Sequence, residues 1–234
     1  ISDRYLIALL IGNAATGIYA VANKVPTILM TVANTFASAW QISALAEQSK
    51  EEKERFFSNV YTTYSAIAFV TASGVILTAQ LSTRLLAAPE YYDAWRYVPI
   101  LTLATTFACL GSFLSSIYMV EQRSTATLAT TMIGAVCNLA GNFFLIQVWG
   151  AMGAAVSTLL GYILIFVVRA IHTQTMLRVQ YNLFKLLISV LILGIQCILV
   201  EKDIPLWPVF SSICLLLICA IHFKAIMRAL RKSL

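Results

Sequence analysis

The sequence predicts an all-α fold: a polytopic transmembrane helix bundle with seven complete spans and one truncated span. Three observations carry this expectation. Residues 125–168 form two long apolar runs that contain no Asp, Glu, Lys, Arg or His and fold back at a short turn near Trp149 and Gly153. Each run is close to the roughly 20 residues that cross a bilayer core. Hydrophobic residues make up 60% of the 234 positions and charged residues only 11%, where a soluble domain carries roughly a quarter charged. Finally, the charges come in clusters separated by long uncharged runs, a pattern that a soluble core does not need.

In chain order, residues 1–11 read as the tail of a helix closed by Gly12 and Asn13. The chain opens on Ile-Ser-Asp-Arg, inside an apolar segment and without a basic leader, so a longer protein upstream is expected. Residues 17–46 form the first complete span, long enough to tilt and with Pro26 as a kink. Residues 47–58 (EQSKEEKERFFS) read as a charged, solvated helical turn, with Glu51–Arg55 and Lys50–Glu54 at pairing distance. Residues 60–81 are the next span. The aromatic segment 87–95 (AAPEYYDAW) suits a headgroup boundary. Residues 98–120 cross back to the turn Glu121-Gln122-Arg123, and the central pair follows. Residues 183–200 and 205–223 are the last spans, before a basic tail.

Small and amide residues recur at helical spacing within the central pair. Gly153, Ser157 and Gly161 let two backbones approach, and Gly134, Asn138 and Asn142 place two amides on one face, where packing is the favoured role. The cysteines lie inside apolar runs without a Cys-x-x-Cys pair, so neither a disulfide framework nor a metal site is suggested. His172 and His222 are expected where helices meet water.

Alternate connections share a side of the membrane. One side collects Lys50, Lys53, Arg55, Arg123, Arg169, Arg178, Lys185, Lys224, Arg228, Arg231 and Lys232; the other holds Arg84, Arg96 and Lys202. The positive-inside bias puts the C-terminus in the cytoplasm. It also accounts for the net charge of +6 without nucleic acid, since no basic face interleaved with aromatics accompanies the charge. The tail is placed to touch anionic membrane lipid.

Two bases fall outside that scheme. Arg4 and Lys24 lie several residues inside their helices, roughly 10–12 Å deep at 1.5 Å per residue, with Asp3 beside Arg4. Charges at that depth are costly unless they line a wet cavity or pair internally. One reading is a cationic patch on a central cavity. The other is that Asp3 neutralises Arg4 and that Lys24 snorkels outward. Asn23, Asn34 and Gln41 are weaker candidates for cavity lining, and Tyr19, Trp40 and Tyr162 read as core or interface aromatics. No phosphate-binding loop, zinc helix, nucleophile elbow or acid–base carboxylate pair appears, so neither an enzyme nor a bound cofactor is expected.

Three stretches resemble one family. SDRYLIALLIGNAATGIYAVANKV, APEYYDAWRYVPIL and, most specifically, NLAGNFFLIQVWGAMGAAVSTLLGY (with Asn138, Asn142, Gly150, Gly153, Thr158 and Tyr162) resemble bacterial polysaccharide flippases. These are the O-antigen type exporters of lipid-linked oligosaccharides within the multidrug/oligosaccharidyl-lipid/polysaccharide exporter superfamily. Multidrug exporters and the lipid II flippase share that architecture.

The resemblance implies two six-helix lobes plus two extra C-terminal helices. Residues 1–182 then correspond to the second lobe and residues 183–234 to the added pair with its cytoplasmic tail. It further implies a bacterial inner-membrane protein that moves an undecaprenyl diphosphate-linked oligosaccharide by alternating access, with a glycan polymerase or ligase as a possible pathway partner. Arg4 and Lys24 would bind the substrate's diphosphate, Asp3 would couple an ion or balance charge, and Asn23 and Asn34 would line the cavity. The alternatives are a multidrug or cation antiporter of the same superfamily, for which acidic rather than basic intramembrane residues are expected, and a non-transporting membrane scaffold, which needs no buried charge.

Overall fold

Helix length and polarity place every element. The computed structural model describes residues 2–46 and 49–233; the side chains at 39, 41–46 and from 228 onward, and so that of Gln41, lie outside the description. Helices α1 (Ser2–Leu10), α2 (Asn13–Ala22) and α3 (Thr27–Ala46) are followed by α4 (Lys50–Leu77) and the short α5 (Ala79–Leu86). A 3-10 turn (Pro89–Arg96) leads into α6 (Val98–Val120), α7 (Ser124–Thr173), α8 (Leu183–Glu201) and α9 (Trp207–Ser233).

Among the described residues, α4, α6, α7, α8 and α9 are long and apolar enough to cross a membrane. The chain is a multi-pass helical membrane protein. Five such helices are fewer than the seven complete spans expected, for two physical reasons. Helix α7 contains 50 residues and reverses at Gly150 (φ 59°, ψ −142°), so it is two antiparallel limbs, 124–149 and 151–173. The expected span 17–46 starts earlier and is split at residues 23–26, where Pro26 interrupts the ladder between α2 and α3. Helix α3, though 20 residues long, has no stretch as apolar as those of the five, with Asn34 and Gln41 in its sequence.

The charged segment after residue 49 is not a separate turn. Ser49 and Glu52 form a reciprocal capping box, Ser49 Oγ accepting from the Glu52 N–H at 3.2 Å and Glu52 Oε2 accepting from the Ser49 N–H at 3.1 Å. From there the helix runs unbroken into the apolar span. The Lys53 ammonium pairs with Glu121, the residue that caps the end of α6, at 3.3 Å, so this turn is fastened to the bundle.

Helix α6 is the hub: 72% of its most apolar window is buried, against 28% for α8 and for α9, which present most of their surface outward. Phe113 of α6 meets Trp40 of α3 at 5.1 Å between ring centroids and Tyr64 and Tyr61 of α4 at 5.3 and 5.4 Å. The last two helices are fixed to α4 by a buried polar knot. Ser73 Oγ donates to Gln196 Oε1 at 2.8 Å, and Gln196 Nε2 donates to Ser73 O at 3.0 Å and Ser211 Oγ at 2.7 Å. In an apolar setting such a satisfied network fixes helix register.

His222 departs from the expected water boundary. It is 4% exposed, bonded through Nε2 to Ser189 Oγ at 2.9 Å and stacked on Phe69. Its place one turn inside the apolar part of α9 makes a hydroxyl, rather than water, its partner. His172 does lie exposed, with Nδ1 3.0 Å from the Tyr118 hydroxyl.

Candidate functional site

The two limbs of α7 are the scaffold of the site, and glycine sets their spacing. A Cβ on Gly134 would overlap Ile165, one on Gly153 would overlap the Leu145 carbonyl, and one on Gly141 would come within 2.5 Å of Ser157 Oγ. Ser157 Oγ donates across the gap to Asn138 O at 2.7 Å. Each facing pair lies about equally far from Gly150 along the two limbs, so the single reversal sets the whole register.

Helix α1 lies against this pair, and its first turn delivers Asp3. Asn142 Nδ2 donates to Asp3 Oδ1 at 2.6 Å, and Thr158 Oγ1 donates to Asp3 Oδ2 at 2.9 Å. Asn138 sits one turn before Asn142. With its amide nitrogen toward Asp3 it donates to Oδ1 at 3.1 Å, and its oxygen accepts from the Thr158 N–H at 3.3 Å. The carboxylate is thus held by three side chains from both limbs, and charge-assisted bonds of this kind are the strong ones. Asn142 is fully buried, yet among the described residues its Oδ1 has no hydrogen-bond partner.

The cluster opens on a groove of about 240 Å³ between the limbs, lined by Asp3, Thr131, Gly134, Asn138, Thr158 and Tyr162 among others. At its far end Thr131 Oγ1 accepts from Arg169 Nη2 at 2.9 Å. Arg169 is 6% exposed. Its Nε donates to Thr130 Oγ1 at 3.0 Å and its Nη1 to the Gly111 carbonyl of α6 at 2.8 Å. Among the described residues it has no carboxylate partner, so hydroxyls and carbonyls alone solvate the charge. The orientation count above assigns Arg169 to the basic side of the membrane; the structure folds it inward, one turn before the end of α7.

The other predicted residues are dispersed. Arg4 and Lys24 are exposed and make no ion pair among the described residues; in particular, Asp3 does not neutralise Arg4. Asn34 is exposed on α3, and half-buried Asn23 donates to the Tyr19 carbonyl of its own helix at 2.8 Å. Tyr19 and Trp40 are core residues, at 1% and 6% exposure. Reading Asn138 and Asn142 as packing alone missed that they also hold Asp3. The missed roles of Arg169 and Thr158 had a signal: threonines at 127, 130 and 131 face position 169 once the limbs reverse at Gly150.

No family model matches the chain, and no curated relative matches it. Among solved structures it is similar to "Lipid II flippase MurJ, inward closed conformation", with a TM-score of 0.64 over 97% of this chain at 14% identity. The fold is MurJ-like. The alignment covers 52% of that structure, so the chain spans about half its length.

Proposed function

We propose that this chain is the second lobe, with two added helices, of a flippase that carries an undecaprenyl diphosphate-linked oligosaccharide across the bacterial inner membrane. The chain does so by alternating access and is not an enzyme. The boundary lies near residue 182, the seven spans and one partial span are counted with α1 and the α2–α3 pair included, and the C-terminus is cytoplasmic. The observation that carries the reading is the likeness of fold to a flippase of a lipid-linked substrate.

Two features of this chain support a coupled mechanism. Arg4 and Lys24 are exposed and make no ion pair among the described residues, available to the two phosphates of the cargo. Asp3 takes a coupling cation, a proton or a sodium ion, on the carboxylate that Asn142, Thr158 and Asn138 hold. The same cage favours the second reading, a cation-driven multidrug antiporter, because a carboxylate site of this type serves either cargo.

The test is rescue of a flippase-deficient strain by the intact polypeptide containing this chain. The wild type is expected to restore surface glycan and Asp3→Asn to lose it. Resistance to cationic dyes without restored glycan would replace the flippase reading with the antiporter.

A further inference from the structure

A second polar recess lies away from the Asp3 groove, where α4, α8 and α9 converge. Tyr61 and Ser65 of α4, Asn182 and Lys185 at the start of α8, and His222 of α9 line it. Among the described residues that line it, none is acidic. Its enclosed part measures about 30 Å³, enough for an oxygen-sized group or two but too small for a whole phosphate.

Several unspent donors point at an anion. Tyr61 is 4% exposed, and its hydroxyl is buried without a hydrogen-bond partner among the described residues. Lys185 donates one proton to the Ile221 carbonyl at 3.3 Å, leaving two of its three N–H groups. Asn182 caps α8, its Oδ1 accepting from the Lys185 N–H at 3.1 Å, and its amide nitrogen remains on the exposed rim. The positive end of a 19-residue helix dipole lies at the same place. Lys53 in the first turn of α4 and Arg178 in the connection between α7 and α8 lie on this side of the bundle, which matches an anionic lipid surface.

We propose that this recess seats the phosphodiester of an anionic glycerophospholipid. One non-ester oxygen enters to the Tyr61 hydroxyl, the phosphate rests at the mouth against Lys185 and the α8 N-terminus, and the acyl chains follow the outward faces of α8 and α9. The site uses only the membrane placement of the chain and does not depend on the cargo.

The experiment measures thermal unfolding of the full chain in neutral detergent with added phosphatidylglycerol, phosphatidylcholine or inorganic phosphate. Phosphatidylglycerol is expected to raise the midpoint above phosphatidylcholine. Lys185→Gln should weaken phosphatidylglycerol retention about fivefold, the equivalent of one lysine at a membrane surface, and Tyr61→Phe should reduce the increment. Lys202→Gln, at the opposite end of α8, should leave it in place. If Lys185→Gln does not fold, Lys185→Arg supplies the matched comparison and should keep the increment while Tyr61→Phe reduces it. The proposal is overturned by an increment that survives both recess variants, by equal loss in Lys202→Gln, by the same gain from inorganic phosphate, or by no increment at all.

Discussion

Asp3 and Asn142 are 139 residues apart in sequence, and the Asn142 amide nitrogen donates to the Asp3 carboxylate at 2.6 Å. The bond joins the first helix to the first limb of α7 inside an apolar bundle. Its donor is fully buried, and a hydrogen bond to a charged group contributes about 1.5–3 kcal/mol. Asn142→Ala should therefore destabilise by about that amount. Asp3→Asn and Asn142→Ala should be non-additive by about 1 kcal/mol or more, as expected for groups in contact. Unfolding of the two single variants and the double variant in detergent measures the coupling; additivity within about 0.5 kcal/mol would show that the contact does not form.

Glycine substitutions separate close approach from open space. A Cβ on Gly153 would overlap the backbone carbonyl of Leu145, which no side-chain rotation relieves, whereas Gly194 has nothing within 4 Å. Gly153→Ala should force the limbs of α7 apart and lower the unfolding midpoint severely or prevent folding. Gly194→Ala should be neutral or stabilising by up to about 1 kcal/mol, the helix-propensity difference. Comparable losses in the two variants would contradict the described limb packing.

Much of this arrangement is legible before folding, and the remainder fails for identifiable reasons. The α7 reversal, the close limbs and the break at Pro26 follow from apolar run length, small-residue spacing and proline chemistry. The partners of Asp3 do not, because an amide four residues from another amide fits interhelical packing and ligand holding equally well. Arg169 is counted with the bases of one side because it lies near a connection, and a side chain that long can fold back toward hydroxyls instead of reaching water. His222 was misplaced because nothing local announces that Ser189, on another helix, stands opposite it.

Arg169 gives the next expected outcome. Its guanidinium bonds α6 through Gly111 and the first limb of α7 through Thr130 and Thr131. Lysine carries the charge but cannot reproduce the planar fork. Arg169→Lys should cost about 1.5–3 kcal/mol. Arg169→Met, which removes the charge along with its desolvation, need not cost more than the lysine variant. Unfolding of both variants in detergent decides it; an unchanged midpoint for lysine would mean that the forked geometry contributes nothing.

The connection between α7 and α8 is strapped to α4. The Arg178 N–H donates to Glu54 Oε1 at 2.9 Å and the Gln180 N–H to Ser58 Oγ at 3.0 Å, with Tyr181 against Tyr61 at 4.9 Å between ring centroids. Burial pushes the Tyr181 phenol above its ordinary pKa, so it remains protonated across the neutral range. Glu54→Ala should speed amide exchange at Arg178 with little change in overall midpoint, because only a local opening is affected. Exchange at Arg178 that matches the wild type would show that the strap is held elsewhere.

The exposed pair Arg4 and Lys24 bears most directly on cargo. A diphosphate drawn from water needs fixed positive charge, and arginine grips it bidentately where lysine acts as a point charge. Arg4→Ala should therefore reduce surface glycan in the rescue assay more than Lys24→Ala, and Lys24→Arg should retain export. Leu9→Ala, 80% exposed on the same helix as Arg4, controls for loss of bulk and should leave export unchanged. Protein levels in the membrane must match among these variants, so that a deficit reads binding and not folding. The Arg4→Ala/Lys24→Ala double variant then decides the matter. Normal glycan on those cells would mean that the phosphates meet their countercharge elsewhere in the transporter, and the role proposed for these two side chains would have to be abandoned.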